Sequence, residues 1–112
     1  MTEELSANIE ITPREVKGLL VRGEKFLFVD VREKWEYDTA RIGGTTLIPV
    51  GEIPSNLARL EQAGEIVLLC HHGIRSLDAA AWLRSQGVEG ARSMSGGIDR
   101  WAVEVDPAVP RY

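Results

Sequence analysis

Two short runs, Phe26-Leu27-Phe28-Val29 and Ile66-Val67-Leu68-Leu69, are apolar at every position. A strand with one face in water alternates apolar and polar residues. A run without alternation has to be covered on both faces, which is the situation of a central strand in a parallel sheet. Helical spacing lies between and around these runs. Thr12-Pro13-Arg14-Glu15 reads as a helix start, with Thr12 as N-cap, Pro13 at the first helical position and Glu15 placed to close a capping box. Val16, Leu19 and Leu20 then form one apolar stripe, and Gly23 ends the helix. Residues 33–39 predict a short helix carrying Trp35 and Tyr37. Ile53, Leu57 and Leu60 predict another, with Pro54 in its first turn and Gly64 as its stop. Ile9-Glu10-Ile11 suits an edge strand, residues 45–48 a strand stopped by Pro49, and Ala91-Arg92-Ser93-Met94 a last strand. Strands alternating with helices predict an α/β fold: a mostly parallel central sheet of about five strands with helices on both faces.

At 112 residues the chain fits one domain, 1–112, with a core large enough to need no staples. Residues 1–8 are polar and expected to fray. Residues 103–112, with Pro107 and Pro110, are expected to form an extended tail. The net charge of −4 and the scattered basic residues argue against nucleic acid as a partner, because phosphate contacts need a positive surface. No apolar run reaches the length of a membrane span, and the first residues lack a signal pattern. The expected location is cytoplasmic, without a membrane partner.

Each apolar run ends in chemistry. The first leads into Asp30-Val31-Arg32, at the strand end where ligand sites form in open α/β sheets. Asp30 and Arg32 are expected to make a buried ion pair or cap that supports the following loop. The second run stops at Cys70, the only cysteine, followed by His71-His72-Gly73-Ile74-Arg75-Ser76. A lone cysteine is either a small buried hydrophobe or a chemical tool. The residues after it favour the tool. Gly73 lets the backbone turn tightly, and Arg75 supplies a fixed charge with a planar donor fork. Ser76 is read as the cap of a helix running to about Gln86, stopped by Gly87. Trp82 falls on that helix's polar side. Loop N–H groups and the helix end would together form a nest for an anion, favouring a thiolate at Cys70.

Attack of that thiolate on a sulfane sulfur gives a persulfide; attack on phosphorus gives a phosphocysteine. The electrostatics serve both. His71 and His72 are read as rim residues. Three adjacent residues rarely supply three faces of one tetrahedral site, so no metal is expected. A protonated histidine there would attract an anionic substrate near neutral pH.

These residues resemble the single-domain rhodaneses, the thiosulfate sulfurtransferase family. Residues 11–20 resemble the family's opening helix. Val29-Asp30-Val31-Arg32-Glu33 with Glu36-Tyr37 resembles its first signature, residues 67–76 its active-site loop, and Gly96-Gly97-Ile98 with Trp101 its closing element. The six residues from Cys70 to Arg75 match the loop of rhodaneses, whereas related cell-cycle phosphatases use a loop one residue longer. The chain departs from the family pattern at Ala40-Arg41-Ile42-Gly43-Gly44, where a Gly-His-Ile is frequent, and in the His71-His72 pair of the early loop.

The resemblance implies a rhodanese-like fold and a sulfurtransferase with Cys70 as nucleophile. His71, His72, Gly73, Ile74, Arg75 and Ser76 would line the substrate site, supported by Asp30 and Arg32. A sulfane sulfur would pass from thiosulfate or a persulfide donor to cyanide, or to a thiol acceptor such as glutathione or a redox protein. No cofactor or metal is implied. The competing readings are a non-catalytic rhodanese-like binding or regulatory module and, behind it, a phosphatase or arsenate reductase of the same architecture.

Overall fold

The two apolar runs become adjacent strands at the middle of one sheet. A computed structural model of the chain describes residues 9–112; the fraying expected for residues 1–8 lies outside the described residues. Strand β1 is Glu10–Ile11, β2 Leu27–Asp30, β3 Thr46–Leu47, β4 Ile66–Leu69 and β5 Ala91–Met94. The described residues form a five-stranded sheet in the order β1-β5-β4-β2-β3, and every pairing is parallel. In the central pair Leu27 lies opposite Ile66 and Asp30 opposite Leu69. The residues that follow β2 and β4 therefore leave the sheet side by side.

Helices make the crossovers that parallel strands require. Helix α1 is Pro13–Val21, α2 Lys34–Thr39, α3 Leu57–Ala63, α4 Ile74–Ser85 and α5 Gly97–Glu104. The alternation of side chains along β4 explains its composition. Ile66 and Leu68 enter a core with Leu60 of α3 and Ala79, Ala80 and Leu83 of α4. Val67 and Leu69 enter a second core with Val16 of α1 and Ile98, Trp101 and Ala102 of α5. Among the described residues no helix is long and apolar enough to cross a membrane.

Local signals act where the sequence places them. Thr12 and Glu15 close a capping box at 3.1 and 2.9 Å. Two expectations shift. Two 3₁₀ turns, Val50–Glu52 and Pro54–Asn56, precede α3, so Pro54 opens a 3₁₀ turn in place of the α-helix. Trp82, on the polar side of α4, stays partly exposed as expected, with its buried part resting against the first core. The tail is not simply extended from residue 103. Val103 and Glu104 complete α5, the chain then turns, and Val109 returns into the second core.

Helix α5 begins hard against the loop that follows β4. Ile98 N–H donates to the Cys70 carbonyl at 2.9 Å and Asp99 N–H to the His71 carbonyl at 3.2 Å. Gly97 sits between them at φ 60°, and a Cβ there would overlap both carbonyl groups. Gly97→Ala should lower stability by about 1–3 kcal/mol in urea unfolding, from a strained backbone and a blocked approach. Gly51→Ala, with open space and no positive φ, should change it by less than about 0.5 kcal/mol. Equal midpoints for the two variants would show that α5 does not press on the loop.

Candidate active site

The loop is built by a left-handed turn. Gly73 adopts φ 101° as the N-cap of α4, which starts at Ile74, two residues before the start read at Ser76. A Cβ at Gly73 would meet the backbone nitrogen of Gly96 at 3.0 Å. The turn swings the Gly73 N–H back toward the sulfur, 3.1 Å away. It also aims the first turn of α4 at the sulfur, where helical N–H groups lack backbone partners. Ser76 is thus the third helical residue and not the cap. Its N–H and its hydroxyl each lie 3.4 Å from Cys70 Sγ. Cys70 itself is only 1% exposed.

A second serine stands behind the first. Ser93 of β5 lies 2.7 Å from Ser76, oxygen to oxygen, and its hydroxyl also reaches the Gly73 carbonyl at 3.5 Å. Each hydroxyl carries one proton. When Ser76 donates to Sγ, Ser93 can donate to Ser76; when Ser76 donates to Ser93, Ser93 can donate to the carbonyl. The pair therefore offers a donor to the sulfur that can be withdrawn without stranding either hydroxyl.

Two ion pairs flank the loop. Arg32 is fully buried, with Nε 2.9 Å and Nη2 2.6 Å from the two carboxylate oxygens of Asp30. Its remaining donors reach the carbonyls of Glu36 and Ala40 and the hydroxyl of Tyr112. Burial works against its charge, but the bonds Arg32 donates to Asp30 and Tyr112 outweigh burial and leave it more firmly protonated than usual.

Arg75 grips Glu36 in a two-pronged contact, Nη1 to Oε1 at 2.7 Å and Nη2 to Oε2 at 3.0 Å. The fork expected to line the substrate site instead holds a carboxylate from α2. That contact, against the opposing effect of burial, holds the Glu36 carboxyl down at about 2. Glu36 also receives the Glu33 N–H at 3.0 Å and the Tyr112 hydroxyl at 2.8 Å.

The rim is aromatic. The His71 ring stacks on His72 at 3.9 Å and, on its other side, on Tyr112 at 4.0 Å. Burial, then the neighbouring His72, lowers the pKa of His71. Among the described residues neither imidazole has a hydrogen-bond partner. Ile74 projects into solvent, 73% exposed, and Trp35 meets Tyr112 edge-on. Ligand-type atoms of His71, His72 and Asp99 lie within 4.8 Å of one another. Yet Asp99 is held by Arg111 at 2.8 Å, and the two imidazole planes are only 21° from parallel. A metal between stacked rings would lie outside the plane of both lone pairs, so the rings would have to turn to hold one.

All the residues singled out in the loop, with Asp30 and Arg32, lie around the ends of β2 and β4. Glu36, Ser93, Asp99 and Tyr112 join the site without having been singled out in the sequence for a role there. A signal existed for Glu36, an acid four residues after Arg32 in the signature that follows β2. Tyr112 had none, since it lies far from the loop in sequence.

The family model for the rhodanese-like domain matches residues 12–104. A probable adenylyltransferase/sulfurtransferase, MoeZ, of Mycobacterium tuberculosis is 39% identical over 91% of this chain and 26% of its own length. A putative sulfurtransferase of Bacillus subtilis, YtwF, is 30% identical over 88% of this chain and 94% of its own. The solved human single-domain sulfurtransferase TSTD1 superposes with a TM-score of 0.76 at 28% identity, covering 86% of this chain and 96% of that one. The chain spans about a quarter of the length of the first curated relatives it matches.

The Glu36 contact has a pH signature. Its folded carboxyl titrates at about 2 against an ordinary 4.5, so the folded state binds fewer protons in that window. The resulting stability should be fully present above 4.5 and lost as pH falls toward 2. Glu36→Gln should destabilise the protein at neutral pH by about 1–3 kcal/mol, nearer the lower figure because Arg75 reaches solvent. It should also flatten the acid loss in urea titrations. An unchanged acid slope would show that Glu36 does not carry it.

Proposed function

The chain belongs to the rhodanese-like domain family, and from that premise we propose that it is a sulfurtransferase carrying a sulfane sulfur as a persulfide on Cys70. The observation that supports this best is the convergence of three donors, two N–H groups and one hydroxyl, on a buried sulfur. A structural cysteine packed as a hydrophobe needs none of them. A sulfur that must bear negative charge in a buried place needs all of them.

In the donor step the Cys70 thiolate attacks the outer sulfur of thiosulfate or of a persulfide. A new S–S bond forms at Sγ, the donor's S–S bond breaks, and its electron pair leaves with sulfite or a thiolate. In the acceptor step cyanide, or a thiol such as glutathione or a reduced redox protein, attacks the terminal sulfur. The Sγ–S bond then breaks and its electrons return to Cys70. Each state is anionic, and the loop N–H groups serve all of them as fixed dipoles. Ser76 and Ser93 adjust the hydroxyl donor to the charge on Sγ.

The remaining site residues take supporting roles in this reading. Gly73 makes the turn, and Ile74 marks the exposed lip. His71 and His72 offer ring nitrogens to an incoming anion. Arg75, through Glu36, fixes the first turn of α4 against α2, while Asp30 and Arg32 hold the base of the loop. No cofactor takes part. The six-residue loop favours sulfur over phosphate, and the intact cysteine favours catalysis over a purely binding module. The mycobacterial relative's name joins sulfurtransferase to adenylyltransferase; the match covers 91% of this chain, its cysteine loop included, and the sulfur-transfer part is what we carry over.

Intact-mass measurement after thiosulfate treatment tests the proposal. The wild-type chain should gain one sulfur atom and lose it again when cyanide or a thiol is added. Cys70→Ala should gain none and should make no thiocyanate while keeping the native far-ultraviolet circular dichroism. Thiocyanate formation by Cys70→Ala at the wild-type rate would sink the proposal.

A further inference from the structure

Tyr112 is far from the cysteine loop in sequence, but it touches three parts of the site's frame. Its hydroxyl accepts from Arg32 at 2.8 Å and donates to Glu36 at 2.8 Å. One oxygen thus joins the two ion pairs that flank Cys70. Its ring lies 4.0 Å from the His71 ring, at 10° from parallel. The neighbouring Arg111 binds Asp99, at the start of α5, whose N–H holds the His71 carbonyl. His71 is therefore held through its backbone by α5 and through its side chain by Tyr112 and His72.

We propose that Tyr112 is a positioning residue for sulfur transfer, its ring fixing His71 along the rim and its hydroxyl tying the Glu36–Arg75 pair to Arg32. The proposal rests on the sulfur-transfer reading. His71 lies within the short turn between Cys70 and Gly73, and Gly73 donates to Sγ. Movement of the histidine moves the turn, and movement of the turn misaligns that donor. The hydroxyl acts on the other side of the nest. Arg75 lies in the first turn of α4, next to Ser76, and the carboxylate it grips is oriented by Tyr112. Burial pushes the Tyr112 hydroxyl up to about 12, so it keeps its proton and remains a donor to Glu36.

The ring also sets the proton affinity of His71. The groups facing that imidazole are His72 in the loop, Asp99 of α5 with its partner Arg111, Glu36 of α2, Arg32 after β2, and Tyr112. Burial is the largest influence and disfavours protonation. Removal of the tyrosine ring admits water to one face of His71, and its titration midpoint rises. A merely structural tail would leave that midpoint and the donor kinetics alone.

The test compares wild type, Tyr112→Phe and Tyr112→Ala in the full chain. It reads thiosulfate-to-cyanide kinetics and the proton NMR titration of the His71 ring. Tyr112→Ala should raise the His71 midpoint and lower kcat/KM for thiosulfate on the order of tenfold, below the roughly hundredfold loss of an ångström-scale misplacement. Tyr112→Phe keeps the ring and loses the hydroxyl, so it should restore the midpoint and recover only part of the lost kcat/KM. Tyr112→Leu replaces the alanine variant if that one does not fold. An unmoved midpoint, or a moved midpoint with wild-type kcat/KM, overturns the role of Tyr112. A wild-type protein that transfers no sulfur overturns the sulfurtransferase reading instead.

Discussion

A guanidinium with no exposure to water is the constraint on which this site depends. Burying such a charge costs several kcal/mol unless its donors are met. Arg32 meets that demand with Asp30 at the end of β2, with the carbonyls of Glu36 and Ala40, and with Tyr112. Glu36 is inside α2, and Ala40 is its C-cap. The helix is therefore fixed to the strand end by one side chain. Fixing α2 fixes Glu36, and Glu36 holds Arg75 in the first turn of α4. A charge at the end of one strand thus sets the position of the helix start that faces the sulfur on the next.

The arrangement also answers an electrostatic difficulty. The proposed sulfur transfer requires an anion to be kept in a place shielded from water. Here the nearby charges are matched, Asp30 with Arg32 and Glu36 with Arg75. What faces the sulfur directly is a set of dipoles: the N–H groups of Gly73 and Ser76, and the Ser76 hydroxyl backed by Ser93. Dipoles fixed by the fold suit the thiolate and the persulfide of the proposed transfer alike, with little reorganisation between them. The rings of His71 and His72 then form the polar part of the entrance.

Much of the fold was legible because the governing signals are local. Unbroken apolar runs at 26–29 and 66–69 demanded two covered faces, and Thr12-Pro13-Arg14-Glu15 announced a helix start. The loop was legible for the same reason, since Cys70, Gly73, Arg75 and Ser76 lie within one turn of chain. Other features needed the assembled sheet. Ser76 resembled a cap because serine caps so many helices; Gly73 took that position through a left-handed turn, and Ser76 was left to face inward. Arg75 looked like a free fork because its partner, Glu36, belongs to another crossover. Tyr112 gave no periodic or turn signal, and only the return of Val109 to the second core brings it to the site.

The central claim is that the loop donors cradle the negative sulfur itself. A crystal structure of the chain loaded with thiosulfate tests it most directly, with the transferred atom located by its anomalous signal. The account predicts a second sulfur bonded to Cys70 Sγ, lying inside the turn and within hydrogen-bond reach of loop N–H groups. A loaded sulfur that points away from the loop N–H groups, or that sits on another residue, would contradict it.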